Sequence, residues 1–311
     1  MHPRRRPASA RTPASATLGS RPPAIKELLH LGRPDEAVGH RSAFQRRGRL
    51  RGPGSEPLHG FLAHNAPVHD GRQEPDDGRV VGTPSFGVTA AGAEVMDKLS
   101  RGLMDGQLLT GILPGAGDLA GRLAAGARAA DVGCGTGHAL NLMARAFPAS
   151  EFRGYDFSAE GIARARAEAA EWGLGNVEFE ILDVVELAAD PPFGVVFAFD
   201  AIHDQVDPVG VLAAIHRALE PGGLFLIMDT KASSSLENNL ENPLAPMLYA
   251  VSTLHCMTVS LAHGGAGLGT MWGEERARQI LADAGFDLLD VYDVPDDPMD
   301  SVYLSQRPPT A

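Results

Sequence analysis

Three glycines at alternate positions, Gly133, Gly135 and Gly137, suit the binding of a ligand against bare main chain. Glycine adopts a positive φ where a side chain would clash, so such a run can turn sharply. A short apolar run precedes the glycines, and an apolar-periodic run, Ala139–Phe147, follows them. We therefore predict a strand, a glycine-rich turn and a helix whose free N–H groups face a nucleotide-type cofactor.

The spacing of these glycines separates classes of cofactor. Dinucleotide-binding proteins use the pattern G-x-G-x-x-G/A, whose third position needs a small residue. That position is His138 counted from Gly133, or Leu140 counted from Gly135, so the dinucleotide pattern fails. The chain also has no Gly-Lys pair, which excludes the phosphate-binding loop G-x-x-x-x-G-K-[ST].

An acid follows the next predicted strand, Glu151–Tyr155. Asp156 stands about 20 residues after the glycine turn, the separation at which an acid of a βαβ unit binds the ribose hydroxyls. Asp156 or Ser158 could also cap the helix predicted over Ala159–Trp172. The two roles are compatible if Ser158 caps the helix while Asp156 binds the ribose.

Three further strands complete a parallel sheet. The third, Val177–Ile181, alternates apolar and polar residues, and the fourth, Gly194–Phe199, is continuously apolar, as in the centre of such a sheet. A predicted helix, Pro208–Leu219, and the chain-breaking turn Glu220–Gly223 then lead to the fifth strand, Leu224–Met228.

The end of the chain adds an antiparallel element. After a predicted helix at 274–285, the segments 286–294 and 299–304 are separated by a Pro-Asp-Asp-Pro turn. We interpret them as a hairpin added to the parallel sheet. Polar residues follow the preceding strands at their carboxyl ends, which is where open α/β sheets bind their ligands.

The pattern Asp131-x-Gly133-x-Gly135-x-Gly137 resembles the first motif of class I S-adenosylmethionine-dependent methyltransferases, and the later motifs follow in the family's order. The resemblance implies an α/β fold with a seven-stranded Rossmann-like sheet, a terminal antiparallel hairpin and a helical lid inserted after strand five. It also implies S-adenosyl-L-methionine as the cofactor.

The resemblance and the strand-end positions together assign a set of residues to the cofactor. Asp156 would bind the ribose, and Asp183 or a neighbouring backbone N–H would contact the adenine amino edge. A turn-forming role for Asp183 is equally open. The assigned residues are Asp131, Gly133, Cys134, Gly135, Thr136, Gly137, Asp156, Phe157, Ser158, Asp183, Val184, Asp200 and Ala201.

A long segment, about 231–272, separates the fifth strand from the last helix. Connections in α/β units usually have ~2–6 residues, so we predict an insertion with its own structure. Its apolar helical part, 243–261, would cover the strand ends and line the acceptor pocket. The alternative interpretation is that its apolar residues pack two helices against each other and form a core.

A general base is needed only if the acceptor loses a proton, and histidine suits that task near neutral pH. His203, after strand four, and His255, in the lid, are the catalytic candidates, and a structural role is open for each.

Asp200, His203, Asp204 and Asp229 are potential metal ligands near strand ends. Their spacing does not require an ion, and no metal is predicted.

From about residue 86 the chain is similar to a bacterial methyltransferase subfamily that carries an N-terminal winged-helix domain. The strings 199–205, 231–234, 253–260 and 264–273 carry this similarity. In that subfamily the winged helix is associated with dimerisation and with closing the active site. No helix-turn-helix pattern precedes the similar region here, so the winged helix is expected to be lost or replaced. A homodimer is therefore possible but doubtful.

We predict two regions: a segment at 1–84 that is rich in Arg, Pro and Gly, and a methyltransferase domain at 85–311. A composition such as that of 1–84 buries too little surface to offset the entropy of ordering, so disorder is predicted. A nucleic-acid-binding tail, a transit peptide, a remnant domain, and an artefact of start site or reading frame are the alternatives.

The charges are unevenly distributed. Residues 1–60 contain 12 Lys and Arg and 4 Asp and Glu, a net of +8, so the rest carries −20 of the total of −12. An acidic domain disfavours nucleic acid as a partner and suits a neutral or cationic small acceptor.

Two cysteines suggest neither a disulfide framework nor a metal site. No membrane span or signal sequence is recognisable, so a cytoplasmic protein is expected.

The leading hypothesis is therefore a methyltransferase that acts on a small molecule through an O, N or C nucleophile. The first alternative is a cofactor-binding, regulatory protein without catalytic activity. A short-chain oxidoreductase is disfavoured by the failed third glycine and by the lack of a Tyr-x-x-x-Lys pair. A nucleic-acid binder that acts through the basic segment is the remaining alternative.

Overall fold

The computed structural model describes residues 90–310, which are organised around one seven-stranded sheet. The strands are β1 Arg128–Val132, β2 Glu151–Asp156, β3 Val177–Ile181, β4 Phe193–Phe199, β5 Leu219–Thr230, β6 Asp287–Asp293 and β7 Asp300–Gln306. They lie in the order β3-β2-β1-β4-β5-β7-β6. The predicted α/β methyltransferase fold is confirmed, whereas the predicted segment 1–84 lies outside the described residues.

Helices cover both faces of the sheet. The α-helices of at least five residues are α1 Ala90–Gln107, α2 Leu119–Ala125, α3 His138–Ala146, α4 Ala159–Glu171, α5 Pro208–Ala218, α6 Ala245–Val251, α7 Met257–Leu261 and α8 Glu274–Asp283. The crossovers β1-α3-β2 and β4-α5-β5 run in opposite directions, so their right-handed connections place α3 and α5 on opposite faces. None of the helices within 90–310 is both long enough and apolar enough to cross a bilayer.

The strand β4 forms the centre of the sheet because both of its faces are covered. Phe193, Val195, Val196 and Phe197 have no exposed surface. A parallel strand between two helical layers has no solvent face and must be apolar throughout, and the predicted run 194–199 is of that kind. The structure begins this strand one residue earlier than the prediction.

The turn predicted at Glu220–Gly223 lies within β5 rather than before it. Leu219 pairs with Phe193, and the next pairing joins Leu224 to Val195. The four residues between these pairings therefore bulge out of the ladder, and Gly222 adopts a φ of 80° there. Thus the chain is interrupted where the sequence predicts, but the strand already begins at Leu219.

The predicted terminal hairpin is confirmed. Strand β7 pairs antiparallel with β5 on one side and with β6 on the other. It therefore lies between two strands that run in the opposite direction, and it is buried along most of its length. This arrangement distinguishes the sheet from a purely parallel dinucleotide-binding sheet.

The segment between β5 and α8 forms the predicted helical insertion. A 3₁₀ turn, Leu236–Asn239, leads into α6, and a π-helical turn, Ser252–Cys256, joins α6 to α7. The side chain of Asn239 fixes the entry to this segment, since its Oδ1 accepts a hydrogen bond from Ser233 N at 2.9 Å. We call residues 231–272 the lid.

Candidate active site

A cavity of about 470 Å³ lies at the carboxyl ends of the central strands. Its wall includes the glycine turn after β1, the ends of β2 and β4, part of α1 and part of the lid. The lining residues are Asp97, Ser100, Met104, Gly133, Gly135, Thr136, Asp156, Phe157, Ser158, Gly161, Asp183, Val185, Phe199, Asp200, Ala201, Asp204, Gln205, Val206, Asp207, Val211, His255, Val259 and His263.

The glycine turn presents bare main chain to this cavity. Gly133, Gly135 and Gly137 have φ values of 72°, 54° and 72°. A Cβ at Gly133 would lie 2.5 Å from the Cβ of Ala201, whereas a Cβ at Gly135 would meet nothing within 4 Å. Packing therefore requires glycine at Gly133, and the open space beside Gly135 is space that a ligand can use.

Asp156 is held firmly at the end of β2. Its Oδ2 accepts a hydrogen bond from Gly135 N at 2.8 Å, and its Oδ1 accepts one from Ser158 N at 2.7 Å. Burial raises the pKa of this carboxyl, while the two backbone donors oppose the increase. The hydroxyl of Ser158 accepts a hydrogen bond from Gly161 N at 3.1 Å, so Ser158 caps α4, as expected.

Asp131, beneath the turn, has an unsatisfied oxygen. The residue is 2% exposed, and its Oδ1 has no hydrogen-bond partner within the described part of the chain. Burial, and then the nearby Asp156 carboxylate, raise the pKa of Asp131 well above its ordinary value. A buried acceptor without a donor is costly and marks a place where a polar ligand group would stabilise the protein.

Helix α1 is attached to the glycine turn by a polar network that the sequence analysis did not predict. Arg101 donates to Asp97 Oδ1 at 3.1 Å and to Glu168 Oε1 at 2.8 Å, and it lies 2.7 Å from His138 Nδ1. Thr136, in the turn itself, donates to Asp97. Despite burial, the hydrogen bonds from Thr136 and Arg101 hold the pKa of Asp97 below its ordinary value.

The loop after β4 begins with a backbone conformation that is uncommon for a side-chain-bearing residue. Asp200 has a φ of 49°, and such conformations are often found at functional sites. Its N–H donates to Met228 O at 2.9 Å, which fixes the start of the loop against β5. Burial and the carboxylate of Asp229 raise the pKa of Asp200 to about 7.

His203 lies behind this loop and does not line the cavity. It is 3% exposed, and its Nδ1 lies 2.9 Å from both carboxyl oxygens of the fully buried Asp229. Its Nε2 lies 3.3 Å from Asp204 Oδ1. Burial lowers the pKa of His203, but the two carboxylates outweigh it and raise the pKa well above its ordinary value. Carboxylates at both ring nitrogens suit a permanently charged imidazolium.

His255 lines the cavity from the lid. It belongs to the π-helical turn Ser252–Cys256, an irregularity that frequently occurs at functional sites. Burial lowers the pKa of His255, and the neighbouring Asp204 opposes the decrease without overcoming it. A neutral imidazole near pH 7 can accept a proton, so the two catalytic candidates occupy chemically different positions.

The structure places most of the predicted cofactor residues in the cavity wall. The predicted residues found there are Gly133, Gly135, Thr136, Asp156, Phe157, Ser158, Asp183, Asp200 and Ala201. Asp131, Cys134, Gly137 and Val184 lie behind the wall. Asp183 also caps the 3₁₀ turn Val184–Glu186 through Val185 N at 3.2 Å. The turn-forming interpretation is therefore confirmed for Asp183, and its contact with adenine stays a prediction.

Two parts of the wall were missed by the sequence analysis. One is the face of α1 formed by Asp97, Ser100 and Met104, and the other is the loop at 204–207. The spacing of Asp97 and Met104 along one helix face was an available signal. The partner of that face could not be read from spacing, because it depends on where α1 crosses the sheet.

Two groups of described residues bring potential metal ligands together. They are His203, Asp204 and Cys256, and Asp200, His203 and Asp229, with ligand atoms within 4.8 Å of one another. His203 belongs to both groups, and both of its ring nitrogens already face carboxylates. His203 is thus already engaged as an imidazolium and has no nitrogen lone pair to offer a metal ion, so we propose no metal here.

The methyltransferase domain family model matches residues 123–285, just over half of the chain. The chain belongs to this methyltransferase family. The match extends from α2 to the end of α8 and includes the glycine turn, Asp156 and the lid. S-Adenosylmethionine is the cofactor of the domain, in agreement with the prediction.

The curated relatives match a smaller part of this chain than the family model does. The chain is 33% identical over 130 residues to a trans-aconitate 2-methyltransferase of Methylobacterium nodulans, which covers 41% of the chain and 46% of the relative. It is 35% identical over 105 residues to a ubiquinone biosynthesis O-methyltransferase of Xanthomonas euvesicatoria, with 33% and 43% covered. The chain therefore spans less than half the length of these two relatives.

A solved structure supports the fold. An O-methyltransferase family protein from Burkholderia thailandensis aligns with a TM-score of 0.53 and 17% identity, covering 73% of this chain and 62% of that one. At this identity the likeness shows a shared fold alone. The methyltransferase fold is thus supported by the family match, the strand order and a solved neighbour.

The polar network around Arg101 should contribute to cofactor affinity. Replacing Arg101 with methionine removes its charge-assisted hydrogen bonds to Asp97 and Glu168, which hold α1 over the cavity. Because the side chain is 36% exposed, solvent screens much of their strength. We expect about fivefold weaker binding of S-adenosylhomocysteine by calorimetry, or roughly 1 kcal/mol. The control Arg278→Met, which breaks an exposed pair with Glu274, should bind normally. An unchanged affinity in Arg101→Met would contradict this role.

Asp300 should make stability depend on pH. Burial, the Asp200 carboxylate and a hydrogen bond to Asp297 raise the pKa of Asp300 to about 9. Between about pH 4 and this value the folded protein holds a proton that the unfolded chain has lost, so stability falls as pH rises. Asp300→Asn keeps a donor for Asp297 but does not titrate.

In urea unfolding we expect Asp300→Asn to gain up to about 5 kcal/mol relative to the wild type between pH 5 and pH 9, because each pH unit in this window costs the wild type at most about 1.4 kcal/mol. The exposed substitution Asp118→Asn provides the control and should show no such pH-dependent gain. A constant difference between Asp300→Asn and the wild type across this range would count against a proton held at Asp300.

Proposed function

We propose that this chain transfers the methyl group of S-adenosylmethionine to a small-molecule acceptor through an oxygen, nitrogen or carbon nucleophile. One observation carries the proposal: the glycine turn, Asp156 and the lid residue His255 line a single cavity. A cavity of about 470 Å³ is within the usual range of small-molecule sites. The relatives support it, since their names refer to trans-aconitate and to ubiquinone biosynthesis.

The residues of the cavity wall suit the parts of the cofactor. Gly133 and Gly135 offer main chain without side chains, and Asp156 offers carboxylate oxygens for the ribose hydroxyls. Phe157 is 53% exposed although it is large and apolar, and Val185 is 37% exposed, so together they offer an apolar surface for the adenine ring. When bound, S-adenosylmethionine supplies a methyl group that is made electrophilic by the sulfonium charge.

On the acceptor side, His255 is the better of the two candidate bases. It lines the cavity, and its lowered pKa keeps the imidazole neutral, and therefore able to accept a proton, near neutral pH. His203 is buried between two carboxylates and already protonated, so in this proposal it positions Asp204 and Asp229. Orientation of the acceptor against the methyl group would supply the remaining rate acceleration.

Binding of the cofactor can be tested through Asp156. Asp156→Asn preserves the shape of the side chain but removes its charge, and charge-assisted hydrogen bonds are worth ~1.5–3 kcal/mol. We expect calorimetry to show at least about tenfold weaker binding of S-adenosylhomocysteine, with unchanged affinity in Asp118→Asn. The wild type should not bind NADH. Equal affinity in Asp156→Asn and the wild type would refute the ribose role.

Turnover distinguishes an enzyme from a binding protein. The full chain would be incubated with S-adenosylmethionine and a panel of small acceptors, including trans-aconitate, and the release of S-adenosylhomocysteine would be measured. We expect acceptor-dependent release that falls about 100-fold in His255→Gln if the acceptor loses a proton. Cofactor binding without release on any acceptor would favour the alternative of a regulatory protein.

A further inference from the structure

We propose that the acceptor is an amine that enters the cavity as an ammonium ion, an inference that rests on the proposed function. The lining residues include six carboxylates and, within the described part of the chain, neither lysine nor arginine. A cavity lined by one sign of charge attracts ligands of the opposite sign and repels ligands of the same sign. The six are Asp97, Asp156, Asp183, Asp200, Asp204 and Asp207.

Four of the six carboxylates already have structural partners. Asp97 is bound to α1 and the glycine turn, and Asp156 accepts hydrogen bonds from two backbone N–H groups. Asp183 caps a 3₁₀ turn, and Asp207 caps α5. These interactions account for the carboxylates on the cofactor side and at the start of α5.

Asp200 and Asp204 remain, and both belong to the loop after β4. This loop lies at the carboxyl end of the central strand, on the same cavity as the lid residue His255. Asp204 Oδ1 is buried and lies 3.3 Å from His203 Nε2, its nearest cationic group. The Asp204 side chain as a whole is 26% exposed and lines the cavity, so its carboxyl group can also interact with a ligand there.

The charges behind the loop do not balance by themselves. His203 provides one positive charge, while three carboxyl groups, those of Asp204, Asp229 and Asp200, surround it. Burial raises the pKa of Asp200 to about 7 and the pKa of Asp204 above its ordinary value, because three negative charges are costly there. Buried carboxylates are stable only when they are paired or hydrogen-bonded. An ammonium ion beside Asp200 and Asp204 would supply the missing positive charge, and a carboxylate ligand would add to the imbalance.

An ammonium ion has no free electron pair and must lose one proton before it can react. His255 lines the same cavity and is suited to accept that proton. The lone pair of the neutral amine then forms the N–C bond as the bond between sulfur and the methyl carbon breaks. The products are a methylated ammonium ion, S-adenosylhomocysteine and protonated His255, which releases its proton to solvent.

The test compares compounds of matched shape and different charge. The full chain, saturated with S-adenosylhomocysteine, would be titrated at pH 7 with benzylamine, benzyl alcohol and benzoate, and with phenethylamine and 3-phenylpropanoate. We expect at least one amine to bind at least about tenfold more tightly than its carboxylate counterpart. The preference should fall below about threefold in Asp204→Asn and in Asp200→Asn. The control Asp118→Asn should retain it.

The outcomes separate the two proposals. If S-adenosylhomocysteine does not bind, the proposed function fails and the present inference fails with it. If it binds but benzoate or 3-phenylpropanoate binds as well as the amine, or no amine binds, only the amine inference is overturned. Preference for benzyl alcohol over benzylamine would also overturn it, since the acidic wall would then serve the sulfonium charge alone.

Discussion

The close approach of the glycine turn to β2 and β4 is the constraint on which the site depends. Gly133 N and Cys134 N both donate to Tyr155 O, at 2.8 and 3.0 Å, so the turn folds back onto the neighbouring strand. A Cβ at Gly137 would lie 2.5 Å from the Cβ of Ala165. Only main chain fits in this space, and Asp156 therefore reaches the turn directly.

A second principle of the site is that charged side chains from different parts of the fold hold one another in place. Arg101 connects α1 to α3 and α4, and His203 connects the loop after β4 to β5. Forming such a pair removes both groups from water, and this cost offsets much of their attraction. The pair therefore serves more to fix the positions of its two groups than to stabilise the protein. The cavity is consequently bordered by side chains with few alternative conformations, as a site for group transfer requires.

The sequence predicted the elements of the fold well because glycine spacing and apolar periodicity depend on local physics. Val177–Ile181 was predicted at its observed limits, and β4 began one residue earlier. The interactions of charged side chains were harder to predict, because they depend on long-range packing. Asp97 and Thr136 are 39 residues apart, and His203 and Asp229 are 26 apart. His203 therefore looked equivalent to His255 in sequence, although one is enclosed and the other faces the cavity.

The attachment of α1 has a consequence for how changes outside the cavity can reach it. Asp97, Ser100 and Met104 all belong to this helix and all line the cavity. A displacement of α1 would therefore move one whole side of the cavity wall. Substitutions among the residues that anchor this helix offer evolution a direct route to altering which molecules gain access, while the glycine turn and Asp156 are left unchanged.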